Sequence, residues 1–452
     1  MLQLPCRAQA TADRHILLNG NLVTPGGLIR NGWLDIFNGA ILHLSAQKPQ
    51  VQNALIVETS DLIFPGFIDL HDHPTFNVFP RWTPPSKYPN RYAWRNSAQY
   101  WDELGGKANQ LFKGGTRFCD IDEYAEVKAL IGGTTSMIGF GNVMHTDLLP
   151  HCIDGLVRNL DVATGFYGSG QGYERIVNSI GILPLDMNAN AAAQVADGIR
   201  NGKIDLLDIH MAEGRADDEE SAQELDLLDA RGLLGPHTVL VHAVGLSPAQ
   251  FTRVHNAGSS IVWSPRSNFE LYGTTVNLDA AFRAGVTISV APDWSPTGSD
   301  NMWDEIRYAH EVSAAQFDGL FSSRQLVEMA SEVPARVARI DDKVGSLAEN
   351  KLADLILVHP ADSTALDNPY KAITDGRITQ IDLVMIGGRA VYGEPGLLGR
   401  FTQHTEALKV CGVDKSLNLD ELPDGSFLEA QNRLEARMKA IGSSLAPLSE
   451  CK

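Results

Sequence analysis

The sequence predicts an α/β protein, a closed (β/α)8 TIM-like barrel with a small composite β-sandwich domain built from both chain ends. Three observations carry this expectation. Strand-like and helix-like segments alternate from residue 62 onward, the pattern of a parallel sheet with crossover helices. Eight strand candidates fall between residues 62 and 291, which suits a barrel of about 250 residues. Before and after that stretch the chain returns to short strands bounded by turn signals, with no helical period. The expected division is a composite domain over residues 1–63 and 353–400, a barrel over 64–352 and a C-terminal helical extension over 401–452.

In the first part, Ile16-Leu17-Leu18 runs into the hairpin signal Asn19-Gly20, and Trp33-Leu34-Asp35-Ile36-Phe37 is closed by Asn38-Gly39. The apolar run Leu62 to Leu70 reads as a buried strand, followed by a long loop over 79–101 rich in aromatics, Pro and Arg. Loops of that length are commonly functional, and this one is expected to form a lid over a site. Strands are then expected at Thr134–Phe140, Ala163–Phe166, Ile180–Leu183, Ile204–His210, Thr238–His242, Ser260–Ser264 and Thr287–Ala291. Helices between them cover Tyr124–Leu130, Leu148–Asn159, Ala191–Asn201, Ser221–Arg231, Pro248–Asn256, Leu278–Ala284 and Met302–Ala315. Strands at Ala353–Val358, Gln380–Ile386 and Ala390–Tyr392 complete the terminal sheet, and Phe427–Ile441 is an amphipathic packing or oligomer helix.

Composition excludes several function classes. The formal charge is −18, with no long block of like charge, so nucleic acid and anionic membranes, which need a basic face, are not expected partners. A small-molecule substrate and a homo-oligomer, dimer or higher, are expected. Cys6, Cys119, Cys152, Cys411 and Cys451 are scattered without a CxxC pair and read as reduced thiols of a cytoplasmic protein. No run reaches about 18 apolar residues, the length a membrane helix needs.

In a parallel barrel the C-terminal ends of the strands share one mouth. The polar residues expected there are His71 and His73 after the first strand, His210 and Glu213, His242, and Asp293. His71 and His73 are two apart, so both point the same way from a strand. Imidazoles with a carboxylate make a nitrogen-rich site for zinc or iron(II) with an open water position. Each residue taken alone has a structural reading: a strand-end histidine bonded to backbone, an aspartate cap, a solvated glutamate. His145 is an ordinary loop residue or a substrate contact.

The sequence resembles the metal-dependent amidohydrolase superfamily, in its cytosine deaminase and chlorohydrolase-like branch. The resemblance covers roughly residues 14–395 and rests on Pro65-Gly66-Phe67-Ile68-Asp69-Leu70-His71-Asp72-His73, Gly132-Gly133-Thr134-Thr135, His210-Met211-Ala212-Glu213-Gly214, Val241-His242-Ala243, Ser264-Pro265-Arg266-Ser267-Asn268 and Asp293-Trp294-Ser295-Pro296. Val344-Gly345-Ser346-Leu347 and Lys351-Leu352-Ala353-Asp354-Leu355 also fit it.

That resemblance implies that His71, His73, His210 and Asp293 ligate one divalent metal, zinc first and iron second. It implies that Glu213 is the proton shuttle and that His242 contacts the water or the developing oxyanion. The stretch Ile176–Leu183 holds no lysine to bridge a second metal, which supports a mononuclear site. Trp82, Arg91, His145 and Asn268 are the candidate substrate contacts. The implied reaction is attack of a metal-activated hydroxide on a cyclic amidine, cleaving its C–N bond, with Glu213, His242 and Asp293 catalytic. The alternatives on the same site are ring-amide hydrolysis and displacement of chloride; a non-catalytic scaffold relative would be expected to have lost ligands. Ala291-Pro292 departs from the glycine and small polar residue that many relatives carry before the aspartate.

Overall fold

The computed structural model describes residues 14–113, 118–139, 156–160, 176–182, 187–422 and 425–451. The first three strands, β1 (His15–Thr24), β2 (Gly27–Phe37) and β3 (Ala40–Ser45), form an antiparallel meander. Its second turn is Asn38-Gly39, with φ of 50° and 80°, the left-handed pair that a tight hairpin turn demands. β4 (Ala54–Pro65) then runs parallel to β1, with Leu17 opposite Ile56.

The expected strand Leu62–Leu70 is two strands. β4 ends at Pro65, and β5 (Phe67–Asp69) begins after Gly66, whose N–H donates to the Asp354 carbonyl at 3.0 Å. A Cβ on Gly66 would lie 2.2 Å from the Thr135 side chain. The chain therefore changes sheet there, at a residue small enough for the close approach.

β5 pairs in parallel with β6 (Thr134–Met137), and β6 with β7 (Arg158–Asn159). A second parallel sheet holds β8 (Ile176–Ile182), β9 (Leu206–Met211), β10 (Thr238–His242), β11 (Ser260–Trp263) and β12 (Thr287–Val290) in that order. The two sheets meet through the parallel bridge Asp72–Asp293, just beyond β5 and β12. Helices follow these strands, among them Ala189–Arg200, Glu219–Ala230, Pro248–Ala257 and Met302–Gln316, each started by an Asn, Asp or Ser cap. This is an α/β fold whose parallel strands have the arrangement of a TIM-like barrel. His145 and the expected strand Ala163–Phe166 lie outside the described residues. Of the expected helix Leu148–Asn159, the described end is not helical, because β7 occupies Arg158–Asn159 and extends the β5–β6 ladder.

β13 (Leu355–Val358), β14 (Ile381–Ile386) and β15 (Arg389–Gly393) join the N-terminal strands. The expected helical extension begins instead as a hairpin, β16 (Thr405–Val410) and β17 (Val413–Asn418), which turns at Cys411-Gly412 with φ of 50° and 81°. The result is one nine-stranded sheet, β16-β17-β15-β14-β13-β4-β1-β2-β3, drawn from both ends of the chain. Alternation along its strands separates two cores. Leu355 and Leu357 pack with Leu383, Met385 and Leu18, while Ile356 and Val358 join the core that includes the barrel strands.

The helix Phe427–Ala440 lies on the helix Phe118–Leu130, with Phe427 stacked on Tyr124 at 5.8 Å and Arg433 paired with Asp120 at 2.6 Å. The reduced-thiol reading is corrected by a disulfide between Cys411 and Cys451, and Cys119 is disulfide-bonded as well. Residues 40 apart meet because the β16–β17 turn and the returning tail converge. Disulfides are rare in the reducing cytosol, so the cysteines no longer argue for a cytoplasmic location. No described helix is long and apolar enough to cross a membrane.

Candidate active site

The strand ends bring the predicted cluster together. Donor atoms of His71, His73 and His210 lie within 4.8 Å of one another, as do those of His71, His242 and Asp293. Asp293 Oδ1 stands 3.1 Å from His71 Nε2 and 3.4 Å from His73 Nε2. Two ligands at 2.0–2.1 Å from a tetrahedral ion stand about 3.4 Å apart, so this donor set fits a single cation. Backbone pins the two strand ends: Asp293 N–H donates to the His71 carbonyl at 3.1 Å, and His73 N–H to the Asp293 carbonyl at 2.8 Å. Ala212, His242, Ala243 and Asp293 all have φ between 49° and 70°. Such left-handed geometry costs about 1–3 kcal/mol at a non-glycine residue and concentrates at functional sites. The Ala291-Pro292 departure noted in the sequence thus leads into a strained turn at Asp293 that aims the carboxylate back at His71.

Electrostatics prepares the donors. Burial and the neighbouring His71 charge bring His73 down to about 3, and burial holds His210 and His242 well below the ordinary imidazole range. Neutral rings keep a lone pair for a metal. His71 runs the other way: burial lowers it, but the Asp208 and Asp293 carboxylates raise it to about 10. A cation binding between these groups would displace that proton. Asp208, 3.8 Å from His71 Nδ1, orients the ring.

Two hydrogen-bond chains fix Glu213 and His242. Trp94 Nε1, a donor only, gives to Tyr272 Oη at 2.8 Å, so the Tyr272 hydroxyl donates to Glu213 Oε1 at 2.5 Å. Burial pushes Glu213 up to about 7, against the opposing charge of Arg91. Trp263 Nε1 gives to Thr275 Oγ1 at 2.8 Å, and Thr275 gives to Asn268 Oδ1 at 3.1 Å. The Asn268 amide N–H therefore faces His242 Nδ1 at 3.0 Å, which leaves the His242 proton on Nε2, 3.7 Å from Glu213 Oε1. Ser267 Oγ donates to the other Asp293 oxygen.

A cavity of about 280 Å³ opens over the cluster, lined by His73, His210, Glu213 and Asp293 at one end and by Phe76, Arg91, Trp94, Arg95, Tyr100, Trp101, Phe112 and Trp294 around it. The expected lid segment supplies much of this wall. It folds as short helical turns, Arg91–Arg95 and Ala98–Tyr100, then a π-helical turn Trp101–Gly105 leading into the helix Gly106–Lys113. Of the four expected substrate contacts, Arg91 lines the cavity. Trp82 stands behind it, 5.7 Å from the Tyr100 ring, and Asn268 is spent on His242. His145 is outside the described residues. Sequence reasoning missed Asp208, Ser267, Tyr272 and Trp94. Asp208 was recoverable, since it sits two residues before His210 and so on the same strand face; Tyr272 left no signal.

Residues 202–391 match the Amidohydrolase family. A 5-methylthioadenosine/S-adenosylhomocysteine deaminase of Desulforudis audaxviator is 25% identical over 363 residues, covering 72% of this chain and 80% of the relative. A zinc-bound adenosine deaminase from Xanthomonas campestris superposes with a TM-score of 0.70 at 17% identity, over 95% of this chain and 99% of its own. An atrazine chlorohydrolase mutant from Arthrobacter aurescens, complexed with zinc and atraton, gives 0.65 at 16% identity, over 83% and 95%. The stretch that matches the family model is the one that carries His210, Glu213, His242 and Asp293. These relatives and the site support a hydrolase of carbon–nitrogen bonds other than peptide bonds.

Proposed function

We propose that the site holds one zinc ion on His71, His73, His210 and Asp293 and hydrolytically deaminates a heterocyclic amine. The observation that carries this reading is the convergence of three neutralisable imidazoles and a carboxylate beside Glu213, a carboxyl raised to about 7 at the end of an aromatic cavity. A divalent cation there supplies Lewis acidity and lowers the pKa of a water toward neutrality. Asp293, held by Ser267, orients that water by accepting its hydrogen bond. Glu213 takes the water's proton and returns it to the leaving nitrogen; a carboxyl near pH 7 suits both transfers. His242, with its proton on Nε2, faces the charge that develops on the substrate. Water adds to the ring carbon, the C–N bond breaks, ammonia leaves and a ring carbonyl remains.

Adenosine-like amines are the first candidates, because relatives matching most of this chain are named for deaminating such compounds. Displacement of another leaving group uses the same machinery, and a structural neighbour is a chlorohydrolase. We further read the nine-stranded sheet as the composite β-sandwich domain; its separate core, in which Leu18 and Leu34 pack with Leu355 and Leu383, supports that division.

The test is metal content with ammonia release. We expect about one zinc per chain, lost in Asp293→Asn and His210→Ala, and a fall in kcat of roughly 10²- to 10⁴-fold in Glu213→Gln with zinc retained. Two metals per chain, or full turnover in Glu213→Gln, would overturn the assignment.

A further inference from the structure

The cavity is walled by rings that follow one another outward from the histidine cluster. The His73 ring lies 6.1 Å from Trp294, Trp294 5.7 Å from Trp94, Trp94 5.0 Å from Tyr100, and Tyr100 5.6 Å from Trp101. All four aromatics line the cavity. Trp294, Trp94 and Tyr100 are buried, whereas Trp101 is 45% exposed and so stands at the open end. The other six tryptophans of the chain are exposed by 9% or less. A single exposed aromatic is ordinary on a protein surface; what sets Trp101 apart is the backbone that carries it. It opens the π-helical turn Trp101–Gly105, closed by the Gly106 N–H donating to the Trp101 carbonyl. Turns of this kind are rare and gather at functional sites. A Cβ on Gly105 would lie 2.7 Å from Tyr100 Cε1 and 3.2 Å from Trp101 Cε3, and one on Gly106 would strike the Trp101 carbonyl oxygen. Two adjacent glycines weaken a helix, and here they are what lets the Trp101 ring stay against Tyr100 beside the cavity. The indole is thus held with apolar surface in water, surface that an occupant reaching the cavity mouth would cover.

We infer that Trp101 determines specificity by forming an outer subsite for an apolar substituent on the reacting ring, so that the substrate is a ring-substituted amine and not the bare heterocycle. The inference rests on the deaminase reading for the reaction, whereas the subsite stands on the ring series and the π-helical turn. The reacting carbon must meet His210, Glu213 and Asp293, which places the heterocycle beside Trp294, the ring that adjoins His73. A group carried on the far side of the heterocycle then reaches Tyr100 and Trp101. An indole face takes C–H surface, through the water that surface leaves and the dispersion contacts it gains. An alkyl chain and the C–H face of a sugar are two sources of that chemistry, and the experiment tells them apart.

Ammonia release by the zinc-loaded full chain is measured on adenine, 9-butyladenine and adenosine, and on cytosine, 1-butylcytosine and cytidine. With at least one ring, a substituted member should exceed its bare parent roughly tenfold or more in kcat/KM, with the gain mainly in KM. Whether the butyl or the ribosyl member leads identifies the source. Trp101→Ala should bring the ratio close to one, and Trp101→Phe, which keeps an aromatic face, should retain part of it and covers the case in which the alanine variant folds poorly. No preference in wild type, or a preference untouched in both variants, overturns the inference. Iodide quenching of tryptophan fluorescence reads the subsite without turnover, because Trp101 is the exposed tryptophan. Purine and pyrimidin-2-one, with their butyl and ribosyl derivatives, lack the leaving amine and serve as ligands. At least one substituted ligand should lower the quenching constant roughly twofold or more where its bare parent does not, and the quenchable component should be missing from Trp101→Phe. That result sustains the subsite even if no amine is turned over. Equal protection by bare and substituted ligands, or protection by none, overturns it even if amines are deaminated.

Discussion

In the proposed reaction Glu213 gains and loses a proton near neutrality, and its neighbours set where it does so. Burial raises it, whereas Arg91 and the hydroxyl of Tyr272 favour the ionised form. The Tyr272 bond is directional because Trp94 occupies its acceptor side. Tyr272→Phe withdraws one donor from the carboxylate, so Glu213 titrates at higher pH than about 7. The sign follows for activity: the base form is less populated at pH 7, so the acid limb of the kcat/KM profile moves upward and activity at pH 7 falls roughly 3- to 10-fold. At high pH, where Glu213 is ionised in both proteins, the difference narrows. An acid limb that stays in place would remove Tyr272 from this role. The ligand candidates were legible in the sequence because strand alternation and strand ends fix where a side chain points. Tyr272 was not, since its reach to Glu213 depends on how the helix Pro265–Tyr272 packs across 59 residues of sequence.

The segment from Pro89 to Lys113 acts as one wall because it is tied to the Glu213 turn at several points. Arg215 N–H donates to the Pro89 carbonyl at 2.7 Å, Asn90 Nδ2 to Asp218 at 2.9 Å, and Tyr92 Oη to Glu224 at 2.7 Å. Glu224 also accepts from Ala212 N–H at 2.6 Å, bracing the turn from below. Gly214 is where these pieces touch: an added Cβ would lie 2.3 Å from Ser221 Oγ, 2.8 Å from Asn90 Cβ and 2.8 Å from the Pro89 oxygen. Gly214→Ala must therefore push the Arg91 turn away from Glu213. We expect KM to rise about tenfold, with about 1–3 kcal/mol of stability lost, while metal content stays unchanged. An unaltered KM would show that the wall is not coupled to this turn. Sequence marked this segment as functional through its length and aromatics but not its form. Its helical turns are too short for a 3.6-residue period to stand out, and their caps, Asn90 and Ser97, sit in a stretch broken by prolines.

At the scale of the molecule, both chain ends serve the barrel, and the expectation reached this only in part. Alternation exposes the strands on either side of β4, but the sequence places Thr405–Asn418 at the start of a helical extension. Its turn, Cys411-Gly412, lacks the Asn-Gly or Asp-Gly signature of a tight hairpin. That hairpin matters because Cys411 holds Cys451, and with it the tail. The tail lies along the site's supports: Ala446 N–H donates to the Val78 carbonyl at 2.9 Å, Glu450 N–H to Asp300 at 2.7 Å, and the Glu450 carboxylate pairs with Arg81 and with Arg266. Arg266 adjoins Ser267 and Asn268, which hold Asp293 and His242. Closing a 40-residue loop stabilises a fold by about 4 kcal/mol on the chain-entropy account, a large share of a typical 5–15 kcal/mol. Cys451→Ser, or reduction of the native protein, should thus lower the thermal midpoint by several degrees. It should also cost activity at temperatures where the rest of the fold persists, because the tail that releases first is the one bracing Arg266. Glu450→Gln should reproduce the activity loss with a smaller change in midpoint, since it weakens the brace and leaves the loop closed. Thiol titration before and after reduction, alongside both midpoints, decides it: equal midpoints once the pair is shown to be reduced would mean the tail holds by packing alone.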